Sequence, residues 1–422
     1  MIKEIIVIAI LFISTLSFSQ STNSSPYSLF GIGDQVHLKS VEEIAMGQMG
    51  GALNSEYQLS FTNPASYGNL KWTTYVFSGG NKTNFVDDGT DQQTSSAAAL
   101  TYIALGIPIN GNQGLAFGLQ LNTAVGYSLV DQTFDADNNL TGIDSYYGNG
   151  GTNRVFLGYG YKFPFDLSLG AEIAYIFGNI DNNVLNRRAN VQLATQQITD
   201  SNVKGTSFKV GAHYAPSISE KLKLKVGVSA DLESTLNEDG DQLLYTLINI
   251  ENGSGIPIDT LNSEGYSSKI KSPLKTVLSA GIGEDNKWFI GAEYSFQNAL
   301  EFTGGIYENL NFYRYDKFSN ISVGGFYIPK INSISNYFQR VTYRAGFNYQ
   351  KTGLVVNETE IDEYGISFGV SLPMGLKISN VNLGFELGKR GTTENELIEE
   401  KFFNFRLSLS LNDRWFRKQK IY

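Results

Sequence analysis

The chain of 422 residues contains no cysteine, and it has only two histidines and nine prolines. The absence of cysteine excludes disulfides, thiol chemistry and lipid attachment through an N-terminal cysteine. The formal charge of −9 argues against broad nucleic-acid binding, because such binding requires clustered lysine and arginine. Aromatic residues make up 13% of the chain, which is too many for a disordered protein.

Long hydrophobic runs are scarce as well. The opening stretch "MIKEIIVIAILFISTLSFSQ" has a charged start, an apolar run from Ile5 to Ile13 and small residues at Ser17 and Ser19. This pattern predicts a secretory signal peptide over residues 1–19; an N-terminal membrane anchor is the alternative, for which the run is short. No later stretch contains about 18 consecutive apolar residues, as a transmembrane helix requires. A membrane location therefore requires a closed β-barrel.

Apolar and polar residues alternate along most of the chain, as in "FNFRLSLSL" from Phe403 to Leu411. Because successive side chains of a strand point to opposite faces, the phenylalanines and leucines lie on one face, and Asn404, Arg406 and the serines lie on the other. The alternation often lasts nine to twelve residues. Strands of soluble sandwiches usually have about five or six residues, whereas a tilted strand that crosses a bilayer needs about 9–11. The apolar face is therefore predicted to meet lipid.

Fourteen segments are predicted to be such strands. They lie near residues 72–81, 95–107, 113–128, 152–163, 167–178, 203–215, 221–233, 272–283, 287–297, 320–328, 340–351, 363–372, 380–389 and 401–412. Six short turns alternate with seven longer loops between them, as an even-numbered barrel with both termini in the periplasm requires. We therefore predict an all-β fold, a transmembrane antiparallel β-barrel of about 14 strands at residues 71–416, followed by a periplasmic tail at 417–422.

Residues 20–70 precede the barrel and do not alternate. A loose periplasmic tail is one interpretation, but the segment is too apolar for a solvated linker. We predict that it packs inside the barrel as a hatch. Its candidate ligand-binding residues, in a pocket between hatch and wall, are Phe30, Ile44, Met46, Met49 and Phe61. The alternative is that these residues only pack the hatch against the wall.

The stretch "AMGQMGGALNSEYQLSFTNPASY", Ala45–Tyr67, resembles the hatch signature of the FadL-type (TodX-like) outer-membrane transporter family. The residues that carry the resemblance are Gly50 and Gly51 of "MGGA", and Asn63, Pro64 and Ala65 directly before the first strand. The resemblance implies a fourteen-stranded barrel that binds hydrophobic molecules from outside and releases them sideways at a kinked third strand. Secretion-associated barrels share this signature.

Two further segments resemble functional parts of such barrels. By resemblance the third strand is "GLAFGLQLNTAVGYSLV", in which Gly118 and Gly126 are candidate weak points of the hydrogen-bond ladder, although glycine is common within barrel strands. The stretch "RLSLSLNDRWF" near the end resembles the final strand that the barrel-assembly machinery of the outer membrane reads. That machinery is therefore an expected partner.

Little in the sequence predicts catalysis. His213 lies on the polar face of "FKVGAHYA", but no pattern ties a nucleophile to it. The stretch "DADNNL" from Asp135 begins like a calcium loop, yet Leu140 stands where an EF-hand needs glycine, and no glutamate occupies position twelve. We expect no enzyme, no cofactor and no metal site.

Charged residues on the polar faces are predicted to point into the lumen. The candidates are Glu172, Lys209, Glu293, Arg344, Glu386 and Arg406. Both signs are present, and an uncompensated charge in a partly dry barrel is costly, so we expect pairing between neighbouring strands or with the hatch. A ring of one sign, typical of an ion-selective pore, is not predicted.

Two functions are consistent with the sequence. The first is passive uptake of hydrophobic small molecules such as fatty acids across the outer membrane of a Gram-negative bacterium, as the family resemblance implies. The alternative is a non-transporting partner or shuttle barrel of a protein-secretion or surface-assembly system. The long loops Ser234–Lys271, which contains "LLYTLINI", and Asn298–Ser319 favour this alternative. The expected partners are outer-membrane lipid, a hydrophobic ligand or a secretion-system protein, and no nucleic acid.

Overall fold

The computed structural model describes residues 22–251, 254–307, 312–374 and 379–415. The predicted signal peptide at 1–19 and the predicted tail at 417–422 lie outside these residues. Within the described part of the chain, no helix is long and apolar enough to cross a membrane.

The described residues form one large antiparallel sheet with a few short helices. The strands are β1 (Asp34–Gln35), β2 (Thr73–Asp87), β3 (Gln92–Pro108), β4 (Gln113–Phe134), β5 (Leu140–Lys162), β6 (Leu167–Arg188), β7 (Ala194–Tyr214), β8 (Leu222–Asp231), β9 (Ser234–Glu251), β10 (Ser254–Ser272), β11 (Lys275–Glu284), β12 (Trp288–Gln297), β13 (Glu301–Thr303), β14 (Tyr313–Tyr315), β15 (Phe318–Tyr327), β16 (Thr342–Val356), β17 (Thr359–Pro373), β18 (Asn380–Gly391) and β19 (Glu399–Asp413). The helices are α1 (Val41–Ile44) and 3-10 turns at Pro26–Leu29, Pro64–Asn69, Gly305–Tyr307, Tyr337–Arg340 and Glu394–Glu396.

Fourteen of these nineteen strands close into a ring. The other five are not part of it: β1 belongs to the segment before the barrel, and β9, β10, β13 and β14 belong to the connections at the end with long loops. Neighbours along the chain pair with one another, and β19 pairs with β2 to close the barrel. Each of the fourteen predicted segments overlaps one strand of the ring, so the predicted barrel is confirmed. Pro108, Pro164, Pro216, Pro329 and Pro373 lie at the end of the barrel with short turns, where a missing N–H breaks no ladder bond.

The strands alternate between the two sides of the wall as the sequence predicts. On β12, Ile290 and Tyr294 are 54% and 43% exposed on the outside, whereas Glu293 is 2% exposed and faces the lumen. Period two is an intrinsic property of an extended backbone, so the outside forms an apolar belt that contacts lipid.

The end with long loops differs from the sequence-based prediction. Strands β4 to β7 have 21 to 23 residues each and continue through most of the segments that were predicted as loops, 129–151 and 179–202. The predicted loop at 234–271 is the hairpin of β9 and β10, and β9 pairs with β7 to extend this wall. Beyond the bilayer the alternation of apolar and polar side chains fades, although backbone hydrogen bonds continue the ladder. Backbone hydrogen bonds leave no pattern in the side chains, so the sequence did not reveal the full length of these strands.

The hatch, residues 22–70 of the described chain, lies inside the ring. Its helix α1 begins with a capping box: the Ser40 hydroxyl accepts the Glu43 N–H at 3.2 Å, and the Glu43 carboxylate accepts the Ser40 N–H at 2.6 Å. Further along, Phe61 and Tyr67 are buried in one hydrophobic cluster with Phe156 of the barrel wall. The barrel therefore has a filled core and not an empty pore.

Candidate functional site

The "MGGA" stretch of the hatch is held by one carboxylate of the barrel wall. Glu293 Oε2 accepts the backbone N–H groups of Gly50 and Gly51 at 2.9 and 2.8 Å. Glu293 Oε1 accepts the ammonium of Lys39, also in the hatch, at 2.6 Å. The predicted pairing of this lumen charge with the hatch is thus present in the structure.

The Asn-Pro-Ala tripeptide fixes the hatch to a neighbouring part of the wall. The Asn63 amide donates to the carbonyl of Ala212 at 2.9 Å, and its side-chain oxygen accepts the Ala65 N–H at 3.0 Å. A Cβ atom at Gly211 or Gly170 of the wall would collide with Asn63 or Pro64. Lumen-facing glycines therefore let the hatch backbone approach the strands closely.

The other predicted lumen charges also have partners. Glu172 forms an ion pair with Arg154 and accepts the Tyr67 hydroxyl at 3.0 Å. Lys209 lies 3.4 Å from an Asp231 carboxylate oxygen.

The remaining three predicted charges lie on β16, β18 and β19. Arg344 donates to the Ser371 hydroxyl at 2.5 Å. Glu386 accepts the Gln48 amide of the hatch at 3.1 Å and lies 3.9 Å from Arg406. Most of these contacts join a strand to its neighbour or to the hatch, which accounts for both signs of charge in the lumen.

The five residues predicted to line a ligand pocket are distributed over separate clusters. Phe61 packs against the rings of Tyr102 and Phe156, with centroids 5.0 and 5.8 Å apart. Phe30 lies far from them in the chain's fold and packs against Tyr313 at 5.1 Å.

Met46, Met49 and Ile44 are buried in the hatch. Met49 packs in a cluster with Phe289 of the wall, and the Met46 carbonyl lies against Gly324. Ile44 borders a space of only about 10 Å³. Contact between these residues and a ligand stays a prediction.

Two larger cavities lie in the lumen. One of about 180 Å³ is enclosed by the first residues of the hatch and by β2, β3 and β16 to β19. A second of about 210 Å³ lies towards β7, β8 and β11. His37, Phe318 and Gln350 line both, so the two cavities adjoin one another. We call them together the lumen cavity.

The barrel wall is interrupted between β3 and β4. Their ladder runs from the pair Pro108–Gly114 to the pair Tyr102–Gln120 and ends there, although both strands continue, β3 paired with β2 and β4 paired with β5. Irregularities in the β2–β3 and β4–β5 registers occur at the same level, beside Leu121. We call this interruption the seam.

The hatch occupies part of the seam. Strand β1 pairs with β4 at Ala124 and Thr123, using the edge that β3 leaves free. A cavity of about 410 Å³ lies at the seam, lined by Leu100, Leu119 and Thr22 among others. Thr22 also lines the lumen cavity, and Leu100 is 42% exposed on the outside of the wall. The seam cavity therefore lies between the lumen cavity and the lipid-facing surface of the barrel.

Glycines shape the edge of the seam. Gly150 and Gly151 of β5 have φ angles of 116° and 132°, a region that favours glycine. Of the two glycines that the sequence singled out, Gly118 lies within the intact ladder, and Gly126 donates its N–H to the Ser28 hydroxyl of the hatch at 3.0 Å. The interruption begins between them.

The sequence did not predict the importance of Lys82, which it assigned to the first loop. The residue lies on β2, opposite Asn404, and lines the lumen cavity. The alternation of apolar and polar residues in β2 continues past the predicted end of the strand, and this continuation was the sequence pattern that could have placed Lys82 on the strand. His213, the candidate histidine, instead contacts the Ala52 carbonyl of the hatch at 2.9 Å. Within the described residues no group of acidic or histidine side chains is arranged to hold a metal ion.

Several solved structures share this architecture. The toluene transporter TodX of Pseudomonas putida is 13% identical and covers 90% of this chain and 99% of its own, with a TM-score of 0.59. A FadL homologue of Pseudomonas aeruginosa is 12% identical, with coverage of 90% and 99% and a TM-score of 0.58. The CymD monoaromatic hydrocarbon channel is 14% identical, with coverage of 89% and 98% and a TM-score of 0.58. No curated protein matches the chain.

The architecture defines a transmembrane β-barrel with the FadL-type fold. The family model named BamG matches residues 1–422, and the chain belongs to that family. The FadL-type resemblance seen in the sequence is thus confirmed for the fold, while the family itself has a different name.

Proposed function

We propose that this protein takes up hydrophobic small molecules passively, fatty acids among them, and releases them sideways into the outer membrane. The observation that carries the proposal is the seam, because the ladder ends at Tyr102 and Gln120 while both strands continue. An interrupted ladder is the one place where a molecule can leave a closed barrel without crossing its hydrogen bonds.

The position of the hatch supports a sideways route. The Gly50–Gly51 and Asn63 contacts fix the hatch to the barrel wall. A molecule in the lumen cavity is separated from the seam cavity by the segment around Thr22, which borders both. The apolar residues Leu100 and Leu119 then lead to the lipid-facing surface.

The test is to close the seam covalently. Because the chain has no cysteine, the double variant L100C/L121C provides one defined thiol pair across the seam. A cleavable bismaleimide-type linker joins the two, and uptake of radiolabelled hexadecanoate is measured in a Gram-negative host that lacks its own channel for this compound. We expect the linker to abolish uptake and its cleavage to restore it.

The matched control is the pair L105C/F117C, whose residues are already opposite one another in the intact part of the ladder. A linker there closes nothing and should leave uptake unchanged. Full uptake with a closed seam would contradict the sideways route. A barrel that takes up no hexadecanoate in any form would contradict the uptake function.

A second candidate function is that of a partner barrel of the barrel-assembly machinery. The family name BamG supports it, as does the hairpin of β9 and β10, which projects beyond the barrel and exposes Ile256, Ile258 and Leu261 by 62%, 55% and 54%. The test is co-purification with the central barrel of that machinery before and after removal of residues 237–269. Shortening the β4–β5 turn at 135–139 is the control. A complex lost only with the hairpin favours this candidate, and the absence of any complex contradicts it.

A further inference from the structure

Two lysines at the lumen cavity, Lys82 and Lys275, have no carboxylate at ion-pair distance among the described residues. Of the basic residues at its wall, Arg390 is 2.8 Å from an Asp34 oxygen and 3.8 Å from a Glu363 oxygen, and Arg406 is 3.9 Å from Glu386. The Lys82 ammonium lies over the Phe402 ring, 5.2 Å from the centroid, and lines the cavity. The carboxylates of Asp34, Glu363 and Glu400 interact with it only from beyond ion-pair distance.

A buried amide oxygen without a partner lies next to this cation. Asn404 stands directly opposite Lys82 on the neighbouring strand and is 6% exposed. Its side-chain N–H group donates to Glu386 at 2.9 Å, while its Oδ1 atom has no hydrogen-bond partner among the described residues. An unsatisfied buried acceptor costs about 1–3 kcal/mol of stability, so a ligand that donates a hydrogen bond to this atom would recover that free energy.

The space beside Lys82 and Asn404 is large enough to admit part of a ligand. The neighbouring lumen-facing positions are small, Gly80 on β2 and Ala97 and Ala99 on β3, which leaves room at the Lys82 ammonium. Aromatic side chains, Phe302 and Phe318, line the other part of the cavity. The Lys275 ammonium lies over the Phe318 ring, 4.4 Å from the centroid, and Phe302 is stacked on Tyr315. A cation and an acceptor at one end, with apolar rings beyond them, fit an amphipathic molecule.

Resting on the proposed uptake function, we propose that the lumen cavity selects fatty acids that carry a hydroxyl group near the carboxylate. The carboxylate binds the Lys82 ammonium, the hydroxyl donates to Asn404 Oδ1, and the acyl chain lies among the phenylalanines. A plain hydrocarbon satisfies neither polar group, and an unsubstituted fatty acid leaves the Asn404 oxygen without a donor.

The experiment measures equilibrium binding to the purified full chain in detergent. The probes are 3-hydroxyhexadecanoate, hexadecanoate and the methyl ester of the hydroxy acid. We expect the hydroxy acid to bind roughly tenfold tighter than hexadecanoate, the ratio that one satisfied buried acceptor gives. N404L should remove this ratio, whereas K82M should weaken both acids and leave binding of the ester unchanged.

The matched control is N348L. Asn348 is a fully buried amide of β16 whose side-chain oxygen and nitrogen both lack partners among the described residues, but it does not line the cavity. N348L should keep the preference for the hydroxy acid, and heat-dependent gel migration verifies that every variant is folded.

The outcomes separate the two proposals. Equal binding of both acids, or loss of the preference in N348L as well, overturns the selection by Asn404 and leaves uptake standing. Binding of no acid, together with no hexadecanoate uptake by the barrel in any form, overturns the uptake function itself.

Discussion

Replacing Glu293 by glutamine is expected to loosen the hatch without unfolding the barrel. The carboxylate accepts three hydrogen bonds from the hatch, two from backbone N–H groups at 2.9 and 2.8 Å and one from the Lys39 ammonium at 2.6 Å. Its side chain is 1% exposed, and that of Lys39 is 15% exposed, so solvent screens this pair weakly. On the barrel side, Glu293 stands opposite Ser279 and Ser322 in intact ladders that the substitution does not touch.

The magnitude follows from the burial of the pair. Removing one partner of a buried ion pair costs about 3–5 kcal/mol, because the other charge stays buried and uncompensated. Glutamine keeps the shape but presents an N–H group where the hatch supplies only donors. We therefore expect the free energy of hatch opening to fall by at least about 3 kcal/mol.

Hydrogen exchange measured by mass spectrometry in detergent checks this expectation. The amides of Gly50 and Gly51 bond to Glu293 directly, and a loss of about 3 kcal/mol makes their exchange roughly a hundred times faster. Peptides from β11 and β12 should keep their wild-type rates.

Two further variants sharpen the test. E293Q/K39M removes the stranded ammonium and should recover part of the protection, since replacing both partners costs less than removing one. E360Q removes a partner from the exposed pair with Lys351, which solvent screens strongly, and should not affect the hatch. Unchanged protection of the hatch in E293Q would refute the reasoning.

Three other predictions concern the hatch and one hairpin. G227V should displace the hatch and expose it to added protease, because a Cβ atom at Gly227 collides with the Gly51 carbonyl. The control is G265V, because a Cβ atom at Gly265 meets only ordinary contacts and the hatch should stay protected. F61A removes the ring that packs against two wall aromatics and should cost about 3–5 kcal/mol in urea unfolding; a loss below 1 kcal/mol would contradict the packing. In the β2–β3 hairpin, backbone N–H groups, foremost that of Asp91, lower the pKa of Asp88. The ionised carboxyl therefore stabilises the turn at pH values above its ordinary pKa, and this stabilisation is lost as the pH falls through the lowered pKa. We expect faster amide exchange in the turn at low pH, and no change in the barrel strands.

The sequence alone determined the barrel and the side of the wall that each residue faces. Glu293 and Arg344 were predicted to point inwards and are buried, while Phe347 on the other face is 45% exposed. The reason is local, because an extended backbone repeats every two residues and a strand in lipid must keep one face apolar. The "MGGA" and Asn-Pro-Ala residues, which the sequence signature had singled out, are also residues that hold the hatch to the wall.

Strand ends at the long loops could not be read in the same way. Outside the bilayer the residues of β4 after Leu129 no longer need an apolar face, and the ladder to β5 is carried by backbone groups that every residue has. The hairpin of β9 and β10 was predicted as a loop for the same reason.

Only the tertiary structure decided which groups meet. Lys39 and Glu293 are 254 positions apart, and Lys82 and Asn404 become neighbours because the last strand closes on the first. The seam depends on irregularities in two neighbouring ladders and on β1 taking the free edge of β4. Such contacts leave no periodic trace in the sequence, since the geometry that joins two distant segments is set by all the strands between them.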